Sequence, residues 1–165
     1  MYFKHHLGEE LTEPVAALDD LARFHLIDMF TACTRREVKD EILRGFSDPH
    51  GTLHVVVATV AFGMGLECPN ARQIIHWGPP NDMEAYFRET GRAGRDGDSA
   101  CAHLWYSNKD FAFVNEDIKT YCKNSEGCRW RVLLKDFVQE EGIPPSGSCM
   151  CCDICESHCS CHKCK

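Results

Sequence analysis

Tyr86-Phe87-Arg88-Glu89-Thr90-Gly91-Arg92-Ala93-Gly94-Arg95-Asp96-Gly97 is the stretch on which the reading of this chain turns. Arg92 and Arg95 are separated by one alanine and one glycine, and Gly91, Gly94 and Gly97 remove side chains that would hold a backbone or a phosphate at a distance. A guanidinium is a planar fork that stays charged and matches a phosphate through two parallel hydrogen bonds, so the string has the build of an anion clamp. The other reading of the same residues is a glycine-rich surface loop with solvated arginines. The flanking sequence decides between them.

Immediately before the clamp, Asn81 and Glu84 have the spacing of a capping box, opening a short helix with Met83, Tyr86 and Phe87 on its buried side. Gln73–Trp77 reads as a strand stopped by Gly78, Pro79 and Pro80, and Ser99–Tyr106 as a strand after the clamp. Leu53–Thr59 is a nearly continuous β-branched run, the pattern of a parallel strand covered on both faces. Further out, Phe24–Phe30 is a short apolar strand. Thr34 and Glu37 suggest a second capping box, leading a helix with Val38, Ile42, Leu43 and Phe46 on one face that stops near Ser47 and Pro49. Glu9–Asp20, carrying Pro14, reads as a connection, and Tyr2–Leu7 as the last turns of a helix capped by Gly8, so that an earlier element is expected to be missing. Strands alternating with helices predict an open α/β sheet, with ligands beyond the carboxyl ends of its strands. Thr59 with Val60–Gly65 lies at such an end, as does His76, and with the clamp these loops are expected to line one crevice; His54 and His103 are simple strand residues.

The chain has 165 residues, 44% of them hydrophobic, which suffices for a core. A formal net charge of -7 argues against coating nucleic acid by bulk electrostatics, so any such contact must be local. No apolar run reaches membrane-spanning length and the start lacks the features of a secretory signal, which points to an intracellular protein. In a reducing compartment twelve cysteines point to metal; Cys33, Cys68 and Cys101 are scattered, while nine lie between Cys122 and Cys164.

Beyond Tyr106, Asp110–Tyr121 reads as a helix with Phe111, Phe113, Val114 and Ile118 apolar, and Cys128 opens a second that runs to Val138 with Val132, Leu133, Phe137 and Trp130 available to a small core. Cys149, Cys152 and Cys155 follow as Cys-x-x-Cys-x-x-Cys. With Cys128 they supply four thiolates, enough for a closed tetrahedral zinc site. Cys122 and Cys151 are spare, and Cys151 replaces a ligand if the knuckle shifts by one residue. Arg129, Arg131 and Lys135 are either phosphate contacts or a solvated helix face. The tail His158-Cys159-Ser160-Cys161-His162-Lys163-Cys164 has donors for a second metal ion, or is a disordered, oxidation-prone end.

Ala58-Thr59-Val60-Ala61-Phe62-Gly63-Met64-Gly65, then Ile75-His76-Trp77, then Glu89 to Gly97 resemble motifs V and VI of superfamily 2 helicases in their RecQ-family form. Cys128-Arg129 with Cys149-x-x-Cys152-Asp153-x-Cys155 is similar to the zinc-binding subdomain of that family. The resemblance implies a partial RecA-like parallel sheet over residues 1–106, forming the second helicase lobe truncated at its N-terminus. A helical zinc-binding subdomain over 107–156 and a disordered tail over 157–165 follow. It implies Arg95 as an arginine finger with Arg92 its companion on the phosphates. Thr59, Gly63, Gly65, Glu67, Arg88, Gly91 and Gly94 fall at nucleotide-binding or coupling positions, and Phe62, Met64, His76, Arg129 and Arg131 at DNA contacts. Relatives carry Gln where this chain has Arg88 and Asp where it has Glu67. Arg88 exchanges an amide that donates and accepts for a cation that only donates.

The sequence holds no Gly-x-x-x-x-Gly-Lys-Ser/Thr loop and no Asp-Glu pair following a buried strand to hold magnesium. An arginine pair stabilises charge on a phosphate that something else must bind, so the chain is expected not to hydrolyse ATP alone. The resemblance therefore implies part of an ATP-dependent 3′ to 5′ DNA helicase, working with ATP, magnesium, DNA and a separate ATP-binding lobe, in the nucleus. The alternative is a non-catalytic zinc-stapled module that binds DNA or protein.

Overall fold

The computed structural model describes residues 6, 8–13, 25–59, 71–138 and 151–160. They fall into two compact units, one of residues 1–74 and 89–102, the other of residues 75–88 and 103–165.

In the first unit the short apolar strand is β1 (Ile27–Phe30), and the β-branched run is β2 (Val55–Ala58). They pair in parallel, Ile27 opposite Val55 and Phe30 opposite Ala58. Parallel neighbours need a crossover, and α1 (Arg36–Ser47) provides it. Its apolar stripe buries Ile42 to 1% exposure against Phe30 and Leu53, with Leu43, Phe46 and Val56 packed around them. Val38 stays at the rim, 37% exposed. The expected cap at Thr34 does not form. The helix starts one residue later, behind Arg35, and Thr34 Oγ1 instead accepts the Thr31 N–H at 2.9 Å, tightening the turn that leaves β1. Full cover of the β-branched run is also corrected: β2 has β1 as its one strand partner among the described residues, and Val55 remains 47% exposed. At the start, Gly8 (φ +53°) leads a 3₁₀ turn, Gly8–Leu11, and Thr12 bridges His25. Most of the Tyr2–Leu7 helix end, and residues 14–20 of the connection, lie outside the described residues.

The strands expected on either side of the clamp are β3 (Gln73–Trp77) and β4 (Cys101–Trp105), which pair with each other. Gly78, at φ +93°, ends β3 and donates its N–H to the Trp105 carbonyl at 2.8 Å. Between the strands runs α2 (Met83–Thr90). Its cap is Asp82 rather than Asn81: the Asp82 carboxylate accepts the Ala85 N–H at 2.8 Å, while Asp117 accepts the Met83 N–H at 3.1 Å. The Asn81 carbonyl instead takes the Asn115 N–H at 2.8 Å.

That bond also explains why Asp110–Tyr121 is not one helix. A 3₁₀ turn (Asn108–Phe113), held by Asp110 accepting the Ser107 N–H and hydroxyl at 2.6 and 2.9 Å, gives way at Asn115 to α3 (Glu116–Lys123). Phe113 consequently points to solvent, 93% exposed, against the apolar role expected of it. The second helix is shorter than expected, α4 (Arg129–Leu134), and α5 (Asp153–Ser157) follows the cysteine knuckle. Met83, Tyr86, Ile118, Tyr121, Cys122 and Leu133 form this unit's core, with Phe87, Leu104, Phe111, Val114 and Val132 packed against it.

Candidate phosphate clamp and cysteine cluster

The arginine clamp is a tight turn that continues from the end of α2. Arg92 and Ala93 donate their N–H groups back to Glu89 and Thr90 carbonyls, and Gly97 closes a second turn onto Gly94 at 3.0 Å. Gly94 is required twice over. Its φ is +67°, and a Cβ there would stand 2.8 Å from the Asp98 carbonyl oxygen and 3.1 Å from Ala100 Cβ. Its N–H reaches the Ala71 carbonyl at 3.0 Å, tying the turn to the chain entering β3. Arg92 is half-buried; Arg95 is exposed and directs Nε to the Gly91 carbonyl at 3.2 Å.

A residue that sequence reasoning passed over lies beneath the turn. Arg72 grips Asp96 with two parallel bonds, Nη1 to Oδ1 at 2.7 Å and Nη2 to Oδ2 at 2.5 Å, and reaches Asp98 at 3.2 Å. The Arg72 guanidinium holds the Asp96 carboxyl down to about 2. Opposite charges at these positions were visible in the sequence, but 24 residues separate Arg72 from Asp96 and no local spacing announces the pair.

Of the other expected nucleotide and DNA positions, Thr59 is exposed just past β2, its N–H on the Phe30 carbonyl at 3.2 Å. Arg88 is exposed on α2, 3.9 Å from Glu84. His76 is 9% exposed, with its ring centroid 5.1 Å from that of Tyr86. Phe62, Gly63, Met64, Gly65 and Glu67 lie outside the described residues.

The second unit gathers thiols. Cys128 precedes α4, Cys151 and Cys152 precede α5, and Cys155 lies within it; their four sulfurs are all within 4.8 Å of one another. Cys128 Sγ is 3.5 Å from Cys151 Sγ. Zinc–sulfur bonds of about 2.3 Å in a tetrahedron set sulfurs about 3.8 Å apart, so the donor set fits one such ion. Cys152 Sγ accepts the N–H groups of Arg129 and Cys155, each at 3.4 Å, which suits a sulfur carrying negative charge. Cys149, expected as a ligand, lies outside the described residues, and Cys151 stands in the cluster. Cys122 is instead a core residue, 3% exposed.

Burial raises the Cys128 thiol, but hydrogen bonds from the Arg131 and Trp130 backbone and from the Cys151 and Cys155 thiols outweigh it and leave its pKa lowered. Burial and the neighbouring Cys128 push Cys151 up to about 11, and hydrogen bonding with Cys152 and Cys128, then burial, pushes Cys155 up to about 12. Like charges this close cannot all ionise unaided, and a divalent cation would remove the conflict by displacing the protons.

Arg129 braces this cluster. Its guanidinium meets Asp153 with Nε on Oδ1 at 2.5 Å and Nη2 on Oδ2 at 2.9 Å, gives Nη1 to the Tyr121 carbonyl at 3.2 Å, and lies 5.7 Å over the Tyr121 ring. Those donors of Arg129 are engaged by Asp153 and Tyr121, whereas Arg131 is exposed on α4 and Lys135 is exposed just past its end. Tyr121 in turn packs on Tyr86 of α2 with ring centroids 5.1 Å apart.

The helicase conserved C-terminal domain family matches residues 11–97, more than half of the chain. The bifunctional 3′-5′ exonuclease/ATP-dependent helicase WRN of Mus musculus is 34% identical over 93% of this chain and 12% of its own length. The ATP-dependent DNA helicase RecQ of Pasteurella multocida (strain Pm70) is 35% identical over 71% of this chain and 20% of its own. The ATP-dependent helicase wrn-1 of Caenorhabditis elegans is 35% identical over 61% of this chain and 11% of its own. The chain thus spans about a tenth to a fifth of these relatives. With that match, this chain belongs to the helicase C-terminal domain family, in the RecQ branch of superfamily 2.

Proposed function

We propose that the chain supplies the phosphate-sensing lobe and zinc subdomain of an ATP-dependent 3′ to 5′ DNA helicase of the RecQ type. A separate ATP-binding lobe completes the engine. ATP and magnesium sit on that lobe; on closure Arg95 reaches the γ-phosphate as the finger and Arg92 steadies it, offsetting charge that spreads onto the phosphoryl oxygens as the bond breaks. Thr59, Gly63, Gly65 and Glu67 couple the nucleotide to a DNA strand contacted by Phe62, Met64 and Arg131. Zinc is held by Cys128, Cys152 and Cys155 with a fourth cysteine from the knuckle, and it is structural because four thiolates leave no open position. The setting is the nucleus, in DNA repair and recombination.

The observation that carries this reading is the exposed Arg95 on a turn whose conformation only Gly94 permits. The test exchanges this chain for the matching segment of the Pasteurella multocida RecQ protein and measures DNA-stimulated ATP hydrolysis. Arg95→Ala is expected to lower kcat by about 10³-fold or more. Hydrolysis unchanged by that substitution overturns the proposal.

A further inference from the structure

The clamp arginines are only as well placed as the turn that carries them, and that turn has a side-chain anchor built from two separate parts of the chain. Arg72 stands just before β3, next to Ala71, whose carbonyl accepts the Gly94 N–H at 3.0 Å. Its own carbonyl accepts the Cys101 N–H at 2.9 Å, so the backbone that presents Arg72 is itself pinned on the far side of the turn. The side chain then takes both Asp96 oxygens and one Asp98 oxygen. Asp96 Oδ1 also accepts the Asp98 N–H at 3.1 Å, so the same carboxylate holds the backbone that leaves the turn. A bidentate fork fixes direction as well as distance. Between the Gly94 anchor and the Asp96 anchor only Arg95 remains, and its orientation is set from both sides.

We propose that Arg72 is the positioning residue of the arginine clamp: by gripping Asp96 it holds Arg92 and Arg95 in the orientation that receives a phosphate, without touching the phosphate itself. The proposal rests on the helicase reading for its purpose but not for its geometry, and the two fail separately.

Limited tryptic digestion of the full chain, with cleavage after Arg92 followed by mass spectrometry, reads the order of the turn directly. Arg72→Ala is expected to speed that cleavage about three- to fivefold while cleavage after Arg131 and the thermal melt stay unchanged. Asp96→Asn should act in the same direction, and the double variant no more than Arg72→Ala alone, because the Asp96 change removes an interaction already lost with Arg72. Arg72→Lys should restore part of the protection, since an ammonium supplies the charge but not the fork. Unchanged cleavage after Arg92, or effects of the two substitutions that simply add, overturns the proposal. If Arg72→Ala melts the chain, Asp96→Asn against the parent decides by the same criterion. In the exchanged RecQ protein, Arg72→Ala should lower kcat with KM for ATP unchanged; kcat equal to the parent's rejects a positioning role. Loss of protection together with an inert Arg95→Ala would sink the helicase reading and leave a purely structural staple.

Discussion

Gly94 carries two constraints at once, a left-handed backbone and a carbonyl 2.8 Å from where its Cβ would be. Gly94→Ala should therefore destabilise the turn by about 1–3 kcal/mol, and hydrogen exchange at the Gly97 amide checks this. Gly97, also at positive φ (+89°), has open space around it, so Gly97→Ala should cost less than the Gly94 change. Arg88 poses a different question, because it is exposed and 3.9 Å from Glu84 rather than engaged in the turn. Exchanging it for the Gln of relatives should raise DNA-stimulated ATP hydrolysis in the exchanged RecQ protein; equal rates would show that position to be indifferent. The Asp96 carboxyl titrates near 2 against an ordinary 3.8, so the unfolded chain binds its proton more readily. Its contribution to holding the turn is complete above about pH 4 and is lost as the pH falls towards 2. Tryptic protection cannot be followed there, but pepsin cleavage around the turn should increase over that window and not between pH 7 and 5.

Among the elements, strands were far more legible than caps. Gln73–Trp77 matches β3 residue for residue, because a β-branched and aromatic run ended by Gly-Pro-Pro leaves little choice of boundary. Capping boxes at Thr34 and Asn81 misplaced the helix starts: Thr34 Oγ1 is taken by the Thr31 N–H, and at the second helix Asp82, one residue on, makes the capping bond. The break at Asn115 was invisible for a tertiary reason: its amide is claimed by the Asn81 carbonyl, 34 positions earlier. In α1, Ile42 is the one residue of its core cluster left with 1% exposure, and Ile42→Ala should lower unfolding free energy by about 2–5 kcal/mol in a denaturant titration. The thiol cluster was legible in type: Cys128, Cys152 and Cys155 come together as expected with Cys151 beside them, while Cys149 lies outside the described residues. Zinc uptake should release protons and strengthen from pH 6 to 8, since Cys151 and Cys155 are held protonated well above that range in its absence. Competition with a chromophoric chelator at the two pH values measures it.

Over the molecule as a whole, the sequence pattern revealed a parallel α/β arrangement with a cysteine-rich helical region, and left the partition of the chain obscure. The two compact units are residues 1–74 with 89–102 and residues 75–88 with 103–165, a partition that no change of composition announces. Nor could composition foresee that Trp77 and Trp105 would stack at 6.3 Å while remaining 89% and 62% exposed. Surface of that kind favours association, and light scattering of the isolated chain should fall on Trp77→Lys.

Asp153 sits directly beside Cys152, holds Arg129, and through Arg129 and Tyr121 steadies Tyr86 in the middle of α2. Stripping the cation should thus be sensed far from any sulfur: the tilt of a helix that touches no ligand becomes slack once the knuckle relaxes. An ion held there would work like the peg of a stringed instrument, setting tension at one end so that a remote part keeps its pitch.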